Sequence, residues 1–533
     1  MPTFKLDERD IPFEQGDTVI RAAQRAGVDI PHYCWHPGLS VAANCRMCLV
    51  ELMPPPGRPA LLLDVLAWDK EKQEYVPQKK PKLVPACQQG VSDGMVIKSQ
   101  SSGHAQQARA AVQELLLLNH PVDCPICDQA GECRLQDYWL EHGATKKRMN
   151  DEPIHKPKAV PFGPNIVYDA ERCIVCTRCV RVSEELAKDP VLSVRERGNL
   201  AEIVVAPGRQ LDHAYTLMTE YVCPVGALTA VDFRFKARVW FLRSARTVCT
   251  GCATGCNSFT DFDPRNQKAY RYRPRENLAV NKYWMCDDGM LDHRRIHEQR
   301  VLAPRVSGEG VDAKIALEKA AAALKQASPE STAVLLSAEH SNEDNFALLE
   351  LAKSFGFNQL FQSGRPAGQG DDILRHPDKN PNTAGIVRLA KPALLKPFAE
   401  LASAIDGGTI KTVLALGSSL SVADKTDALK RAQVIALASH EGPLAQHARV
   451  LLPASTWAEA DGTFVNAKGL AQESEKAIAP QGQSLPAFRW LAELARVAGK
   501  PLGWKKLTDL RKSMAQEAPP ASLPASTAPA GVS

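Results

Sequence analysis

The sequence predicts a multi-domain protein with several small α+β domains followed by an α/β domain. A chain of 533 residues with 44% hydrophobic residues is long enough for three or four domains, each with its own core. All fifteen cysteines lie before residue 287 and fall into groups with short spacings. Beyond residue 300, strand patterns alternate with helix patterns, which is typical of a parallel sheet.

Composition and charge exclude several classes of protein. A net charge of +5 and a pI near 8.4 give no strong basic stripe, so we expect no nucleic-acid partner. The opening residues MPTFKLDERDIPFEQG lack the apolar core of a secretory signal. The sequence contains no apolar run of about eighteen residues, so we expect no membrane span. Fifteen cysteines without an export signal predict a reducing compartment, where thiols serve metals or catalysis.

Residues 1–98 predict a β-grasp ferredoxin domain. A hairpin is predicted over Thr3–Leu6 and 11–14, followed by a helix over 18–26 that ends at Gly27. Residues 54–82 then predict an inserted hairpin. The cysteine spacing C-x10-C-x2-C with a distant fourth cysteine is a looser form of the plant-type [2Fe-2S] pattern, and a zinc site is the alternative. The four cysteines are Cys34, Cys45, Cys48 and Cys87.

Residues 99–150 predict a helix that leads into a dense group of metal donors. One helix face is predicted to be buried, formed by Ala105, Ala108, Val112, Leu115 and Leu116. The helix should stop before Pro121, because the residue before a proline avoids helical backbone. The stretch NHPVDCPICDQAGEC then offers four donors that can converge on one point. They are His120, Cys124, Cys127 and Cys133.

Two further cysteine groups follow in separate modules. Residues 151–235 contain C-x2-C-x2-C and a distant Cys-Pro pair, which is half of the bacterial ferredoxin signature for a [4Fe-4S] cluster. These cysteines are Cys173, Cys176, Cys179 and Cys223. Residues 240–300 hold a differently spaced group, predicted to be an additional [4Fe-4S] module with core aromatic residues around it. Its cysteines are Cys249, Cys252, Cys256 and Cys286.

The cysteine count supports four complete iron–sulfur sites. Three groups hold four cysteines each, and the group with only three has His120 directly before it. We name these groups the Cys34 set, the His120 set, the Cys173 set and the Cys249 set. The first is predicted to hold one [2Fe-2S] cluster and the others three [4Fe-4S] clusters.

Residues 301–515 predict an α/β domain without further donor groups. Ser341 and Asp344 are predicted to cap a helix that ends at Gly356. KTVLALG followed by DALKRAQVIALAS predicts a strand–helix–strand unit. The glycines of SGRPAGQGDD match no phosphate-binding fingerprint closely. Residues 516–533 are rich in Pro, Ala and Ser and are predicted to be a disordered tail.

With these motifs in place, the chain resembles the family of the large iron–sulfur subunit of NADH-quinone oxidoreductase, respiratory complex I. NHPVDCPICDQAGECRLQD is similar to that family's signature for a His-ligated [4Fe-4S] site, and the Cys34 and Cys173 sets match its other ligands. The Cys249 set resembles an extra cluster that some members keep, off the main electron route. The resemblance implies electron transfer from a flavin- and NADH-binding partner toward quinone-side iron–sulfur subunits. It also implies a peripheral position on the cytoplasmic face of the inner membrane, with membrane contact only through partners.

Two departures from the family bear on the later part of the chain. LLPASTWAEADGTFVNAKGLAQ is similar to part of a molybdopterin-oxidoreductase domain, but family members are usually longer, so a truncated domain is expected over 301–515. Asp288 stands where molybdopterin enzymes usually have a lysine after the last cluster cysteine. We therefore expect no molybdopterin. The alternatives are an iron–sulfur subunit of an NAD-linked hydrogenase or formate dehydrogenase complex, and a zinc-stapled scaffold without enzymatic activity.

Overall fold

The computed structural model divides the chain into two compact units. The first unit holds Met1–Val239, and the second begins at Trp240. The structure describes residues 1–53, 59, 62–69, 71–143, 149–390 and 394–517. The predicted tail therefore lies outside the described residues from 518 onward, and residues 516 and 517 end the last helix.

The first unit contains twelve short strands and five helices among its described residues. The strands are β1 (Thr3–Leu6), β2 (Arg9–Pro12), β3 (Leu49–Met53), β4 (Leu62–Asp69), β5 (Glu74–Pro81), β6 (Leu83–Pro85), β7 (Val96–Lys98), β8 (Val160–Pro161), β9 (Ile166–Tyr168), β10 (Leu192–Arg195), β11 (Glu202–Val205) and β12 (Leu228–Ala230). The helices are α1 (Val19–Arg25), α2 (Gly103–Leu117), α3 (Arg134–His142), α4 (Arg178–Arg181) and α5 (Leu217–Tyr221).

The predicted hairpin and helix open a five-stranded sheet in the order β2-β1-β7-β3-β6. Asp7 and Glu8 form the hairpin turn, and both have positive φ angles, which suit the twist of a two-residue hairpin loop. The Asp7 carboxylate also accepts backbone N–H bonds from Ser99, Gln100 and Ser101. The turn thereby fixes the chain that follows β7. The inserted hairpin is confirmed as β4 and β5, which pair antiparallel.

Helix α2 forms as predicted, but of the five residues predicted for its buried face only Ala105 is buried. Its buried residues are Ala105, Arg109 and Gln113, whereas Leu115 is 67% exposed. Arg109 donates to the Leu49 carbonyl, and the Gln113 amide donates to the Tyr33 hydroxyl. These polar side chains turn inward because they serve backbone and hydroxyl groups near the Cys34 set.

The second unit contains thirteen strands and eight helices among its described residues. The strands are β13 (Arg243–Val248), β14 (Asn257–Asp263), β15 (Lys268–Pro274), β16 (Arg305–Val306), β17 (Glu309–Gly310), β18 (Thr332–Ser337), β19 (Gln359–Ser363), β20 (Leu395–Pro397), β21 (Thr412–Leu416), β22 (Gln433–Ala438), β23 (Val450–Pro453), β24 (Gly462–Val465) and β25 (Ala471–Ser474). The helices are α6 (Asp287–Leu291), α7 (Ala313–Gln326), α8 (Asn342–Phe355), α9 (Thr383–Ala390), α10 (Phe398–Asp406), α11 (Pro443–His447), α12 (Ala487–Val497) and α13 (Leu507–Glu517).

An eight-stranded sheet organises this unit in the order β17-β16-β23-β22-β21-β18-β19-β20. The six strands from β23 to β20 are parallel neighbours, which confirms the predicted α/β class. Ser341 caps α8 by accepting the Asp344 backbone N–H, and Gly356 ends the helix with φ 78°, as predicted. The predicted helix within DALKRA is a 3-10 helix, Ala423–Arg431.

No helix among the described residues is long and apolar enough to cross a membrane.

Candidate metal centres

The Cys34 set lies where the loop after α1 meets the five-stranded sheet. Cys48 directly precedes β3, and Cys87 follows β6. Cys34 and Cys45 share a hydrogen bond between their thiols, and Cys48 and Cys87 share another. The bond from Cys34 lowers the pKa of Cys45 and raises its own. The sheet and the loop therefore bring the four predicted donors together in two adjacent pairs.

The His120 set surrounds one cavity just beyond the C-terminal end of α2. Cys124 begins a 3-10 turn, and Cys133 is the N-cap residue of α3. All four predicted donors line a cavity of about 430 Å³. Burial lowers the pKa of His120 to about 4, so its imidazole is neutral, which is the metal-binding form. Its Nδ1 is buried and has no hydrogen-bond partner among the described atoms.

The Cys173 set surrounds a second, smaller cavity, which all four of its cysteines line. Left-handed backbone at Val175 and Thr177, with φ 51° and 61°, lets the C-x2-C-x2-C loop wrap around this space. The Val175 backbone N–H donates to the Cys173 sulfur at 3.3 Å. Burial raises the pKa of Cys173 to about 11, so without a bound cation the thiol keeps its proton.

The Cys249 set lies in the second unit, around the start of α6. Cys249 and Cys256 flank the turn between β13 and β14, and Cys286 is the N-cap residue of α6. A Cβ at Gly289 would lie 3.1 Å from the Cys249 sulfur and 3.3 Å from the Cys286 sulfur. Mutual charge repulsion among the four cysteines adds to the burial that raises the pKa of Cys249. The set is therefore also brought together as predicted.

Two features of these sets fit polynuclear iron–sulfur clusters. All fifteen cysteines lie in the described chain, and all are free thiols. The donors of the His120 set line one cavity, and those of the Cys173 set line another, as expected where each iron of a cluster takes one outer ligand. Burial of so many thiols favours a bound cationic group that stabilises their thiolates.

Loops of the Cys173 set contact the other two sets of the first unit. Toward the His120 set, the Arg172 guanidinium binds the Asp123 carboxylate at 2.6 Å, and a Cβ at Gly226 would lie 2.5 Å from the Cys127 sulfur. Toward the Cys34 set, the Asn44 amide donates to the Val175 carbonyl at 3.3 Å. The Cys34 and His120 sets are also connected through Tyr33 and Tyr138, whose rings meet edge to face with centroids 5.3 Å apart.

The residues that connect the sets were not predicted from the sequence. Arg172, Arg178 and Arg181 are charged residues within or beside the cysteine motif, a position where a solvated side chain is the usual expectation. The available signal was their density, because ERCIVCTRCVRV places all three within one short cysteine-rich loop. Gly226 had a weaker signal, a glycine three residues after the last ligand of the set.

Four family models match separate parts of the chain. A 2Fe-2S iron-sulfur cluster binding domain matches residues 1–102, and the NADH-ubiquinone oxidoreductase-G iron-sulfur binding region matches residues 109–148. The ferredoxin-like domain of NADH-quinone oxidoreductase subunit 3 matches residues 163–229. The molybdopterin oxidoreductase model matches residues 353–497.

Curated relatives carry consistent names. The chain is 35% identical over 358 residues to an NADH-quinone oxidoreductase subunit of Streptomyces coelicolor, a match covering 66% of this chain and 39% of the relative. It is 34% identical to NADH-quinone oxidoreductase subunit 3 of Thermus thermophilus, over 69% of this chain and 48% of that protein. The mitochondrial NADH dehydrogenase [ubiquinone] iron-sulfur protein 1 of Solanum tuberosum is 32% identical, over 72% of this chain and 48% of that protein. The chain thus spans half or less of these relatives.

Among solved structures, the NAD+-reducing [NiFe]-hydrogenase in its H2-reduced state matches with a TM-score of 0.36 and 29% identity, covering 45% of this chain and 91% of that chain. From the family models and the curated relatives, this chain is a relative of the large iron–sulfur subunit of NADH-quinone oxidoreductase.

Proposed function

We propose that the chain is the electron-transfer subunit of an NADH-quinone oxidoreductase and carries electrons from a flavin-containing partner toward quinone. The observation that carries this proposal is the contact between donor sets: the Cys173 loops touch both the Cys34 and the His120 sets. Closely spaced sites suit electron transfer. Neither the NADH site nor the quinone site is assigned to this chain.

The proposed cofactors are one [2Fe-2S] cluster at the Cys34 set and one [4Fe-4S] cluster at each of the other three sets. Such clusters supply one-electron transfer when bound. The chain's own residues would hold each cluster by four thiolates or, at the His120 set, by three thiolates and one imidazole. The Cys173 set stands between the other two sets of the first unit, so we propose the order Cys34 set, Cys173 set, His120 set along the chain's electron route.

The proposed domains follow the donor sets. Residues 1–98 form the [2Fe-2S] domain, 99–150 and 151–235 the two [4Fe-4S] segments, and 240–300 the additional [4Fe-4S] module. Residues 301–515 form a molybdopterin-oxidoreductase-like domain that we propose holds no molybdopterin. The support for this is Asp288, which stands where molybdopterin enzymes usually have a lysine after the last cluster cysteine.

The proposed partners are a flavin- and NADH-binding subunit and quinone-side iron–sulfur subunits. Exposed apolar side chains surround the mouth of the cavity at the His120 set, and a surface of this kind marks an interaction site. They are Val122, Trp139 and Leu140. We propose that a quinone-side iron–sulfur subunit covers this surface. The complex would then attach to the cytoplasmic face of the inner membrane through its partners alone.

Native purification of the tagged chain tests this proposal. We expect a flavoprotein and membrane-embedded subunits to co-purify, and NADH to reduce the iron–sulfur signals only while the flavoprotein is present. The isolated chain is the control, and NADH alone should leave it oxidised. Co-purification with the catalytic subunit of a hydrogenase or formate dehydrogenase would contradict the proposal.

A further inference from the structure

Two arginines of α4 lie between the Cys34 set and the Cys173 set. Arg181 is 7% exposed and donates through Nη2 to the carbonyl oxygens of Cys34 and Cys176, at 2.5 and 3.3 Å. Its Nη1 donates to the Ser40 carbonyl in the same loop as Cys34. One guanidinium group therefore holds the backbone of both donor sets.

Arg178 repeats this arrangement one turn earlier. Its Nη1 donates to the Val222 carbonyl at 3.1 Å, directly before Cys223 of the Cys173 set. Its Nη2 donates to the Trp35 carbonyl, directly after Cys34. Arg178 therefore also connects the backbone of the two donor sets.

The two arginines also share an unmet hydrogen-bonding need. In each arginine, both terminal nitrogens donate hydrogen bonds to backbone carbonyls. Each also has a buried Nε without a hydrogen-bond partner among the described atoms. Within the described part of the chain, no carboxylate forms an ion pair with either guanidinium, and backbone carbonyls do not neutralise a positive charge. A guanidinium removed from water requires anionic compensation, which ligand thiolates around an iron–sulfur cluster provide.

We propose that Arg178 and Arg181 form a positive bridge shared by the Cys34 and Cys173 sets, which raises the reduction potentials of the clusters bound at both. The proposal rests on the proposed function, because it requires clusters at these sets. Reduction adds a negative charge to a cluster, and a nearby fixed cation stabilises that charge. The arginines are positioning residues, since they act on the clusters through charge and through the backbone of the ligand loops.

Arg172 provides an internal comparison on the other side of the Cys173 set. It is as buried as Arg181 and directly precedes Cys173, but its charge is neutralised by Asp123 at 2.6 Å and by Asp169 at 3.6 Å. Its contacts lead toward the His120 set and away from the Cys34 set. Replacing it should therefore leave the cluster at the Cys34 set unchanged.

The test is an EPR-monitored redox titration of the full chain with its clusters. We expect Arg178→Gln and Arg181→Gln each to weaken the one-electron reduction of both the binuclear cluster and the Cys173-set cluster about tenfold, or about 59 mV. Arg178→Lys and Arg181→Lys keep the charge and should retain most of both potentials. Arg172→Gln should leave the binuclear potential unchanged, and the exposed Arg195→Gln should change neither.

Equal shifts in the Gln and Lys variants, or a shift in only one of the two clusters, would overturn the bridge. If a Gln variant fails to assemble its clusters, the Lys variant decides: retained potentials support the bridge, and fallen potentials contradict it. Absence of the clusters from the unaltered chain would contradict the proposed function instead. Assembled clusters with unmoved potentials would contradict only the bridge.

Discussion

His120 is the one donor of the four sets that carries no negative charge when it binds a metal. We expect His120→Cys to retain the cluster and to lower its reduction potential, because a thiolate replaces a neutral imidazole. The measurement is the midpoint of that cluster's EPR signal during reductive titration. His155→Cys is the control, since that side chain is 85% exposed. An unchanged midpoint in His120→Cys would remove His120 from the ligand group.

Gly226 is the second residue with a sharp prediction, because it leaves room for the Cys127 sulfur. A Cβ there would approach that sulfur to 2.5 Å, far inside van der Waals contact. We expect Gly226→Ala to lose the cluster at the His120 set, seen as about four fewer irons per chain by cluster stoichiometry. Gly103→Ala is the control, because nothing lies within 4 Å of its added Cβ. Full iron content in Gly226→Ala would contradict this account.

The sequence predicted which cysteines lie together, but it did not predict the residues that connect the sets. Metal-ligand spacing is a local property, so the cysteine motif from Cys173 to Cys179 can be recognised within seven residues. The role of Arg181 depends on a loop that lies 147 positions earlier in the chain. Only the folded arrangement brings that loop to its guanidinium.

Among the secondary-structure elements, strands β14 and β15 hold a buried carboxylate. Asp261 is 2% exposed and accepts hydrogen bonds from the guanidinium groups of Arg271 and Arg273 and from the Ser244 hydroxyl. Although burial opposes ionisation, the two arginines and these hydrogen bonds lower the pKa of Asp261 to about 2. The three-stranded sheet next to the Cys249 set is thus fixed by an ionised aspartate.

We expect Asp261→Asn to lower the free energy of unfolding of the second unit by about 2 kcal/mol at neutral pH. The stabilisation is fully present above the unfolded pKa, near 3.8, and is lost as the pH falls toward 2. The difference in free energy of unfolding between the unaltered protein and Asp261→Asn should therefore stay constant from pH 8 to pH 5, as measured by chemical denaturation. Asp427→Asn removes an exposed pair with Lys430 and should have little effect. A difference that changes across that range would contradict the assignment.

Local signals predicted elements well, and burial less well. The Ser341 cap and the Gly356 terminus of α8 were correct because capping depends on residues within one turn. The buried face of α2 was predicted correctly only at Ala105. Arg109 and Gln113 turn inward because they bind distant carbonyl and hydroxyl groups, which hydrophobic spacing does not reveal. The strand β2 begins at Arg9, two residues before the predicted start.

For the whole molecule, the sequence predicted a cysteine-rich first part and an α/β second part, and the structure contains both. The α/β class could be predicted because few other arrangements bury apolar strands that alternate with helices along the chain. The contacts between the donor sets could not be predicted, since loops of the Cys173 set contact two sets that both precede it in the chain. These are long-range contacts, such as that of Arg172 with Asp123.

Iron analysis and EPR of the purified chain, after reconstitution and reduction, test whether the four donor sets each hold an iron–sulfur cluster. We expect one binuclear and three cubane clusters, or about fourteen irons per chain by cluster stoichiometry. A colourless protein, stoichiometric zinc, or a markedly lower iron content after reconstitution would contradict it.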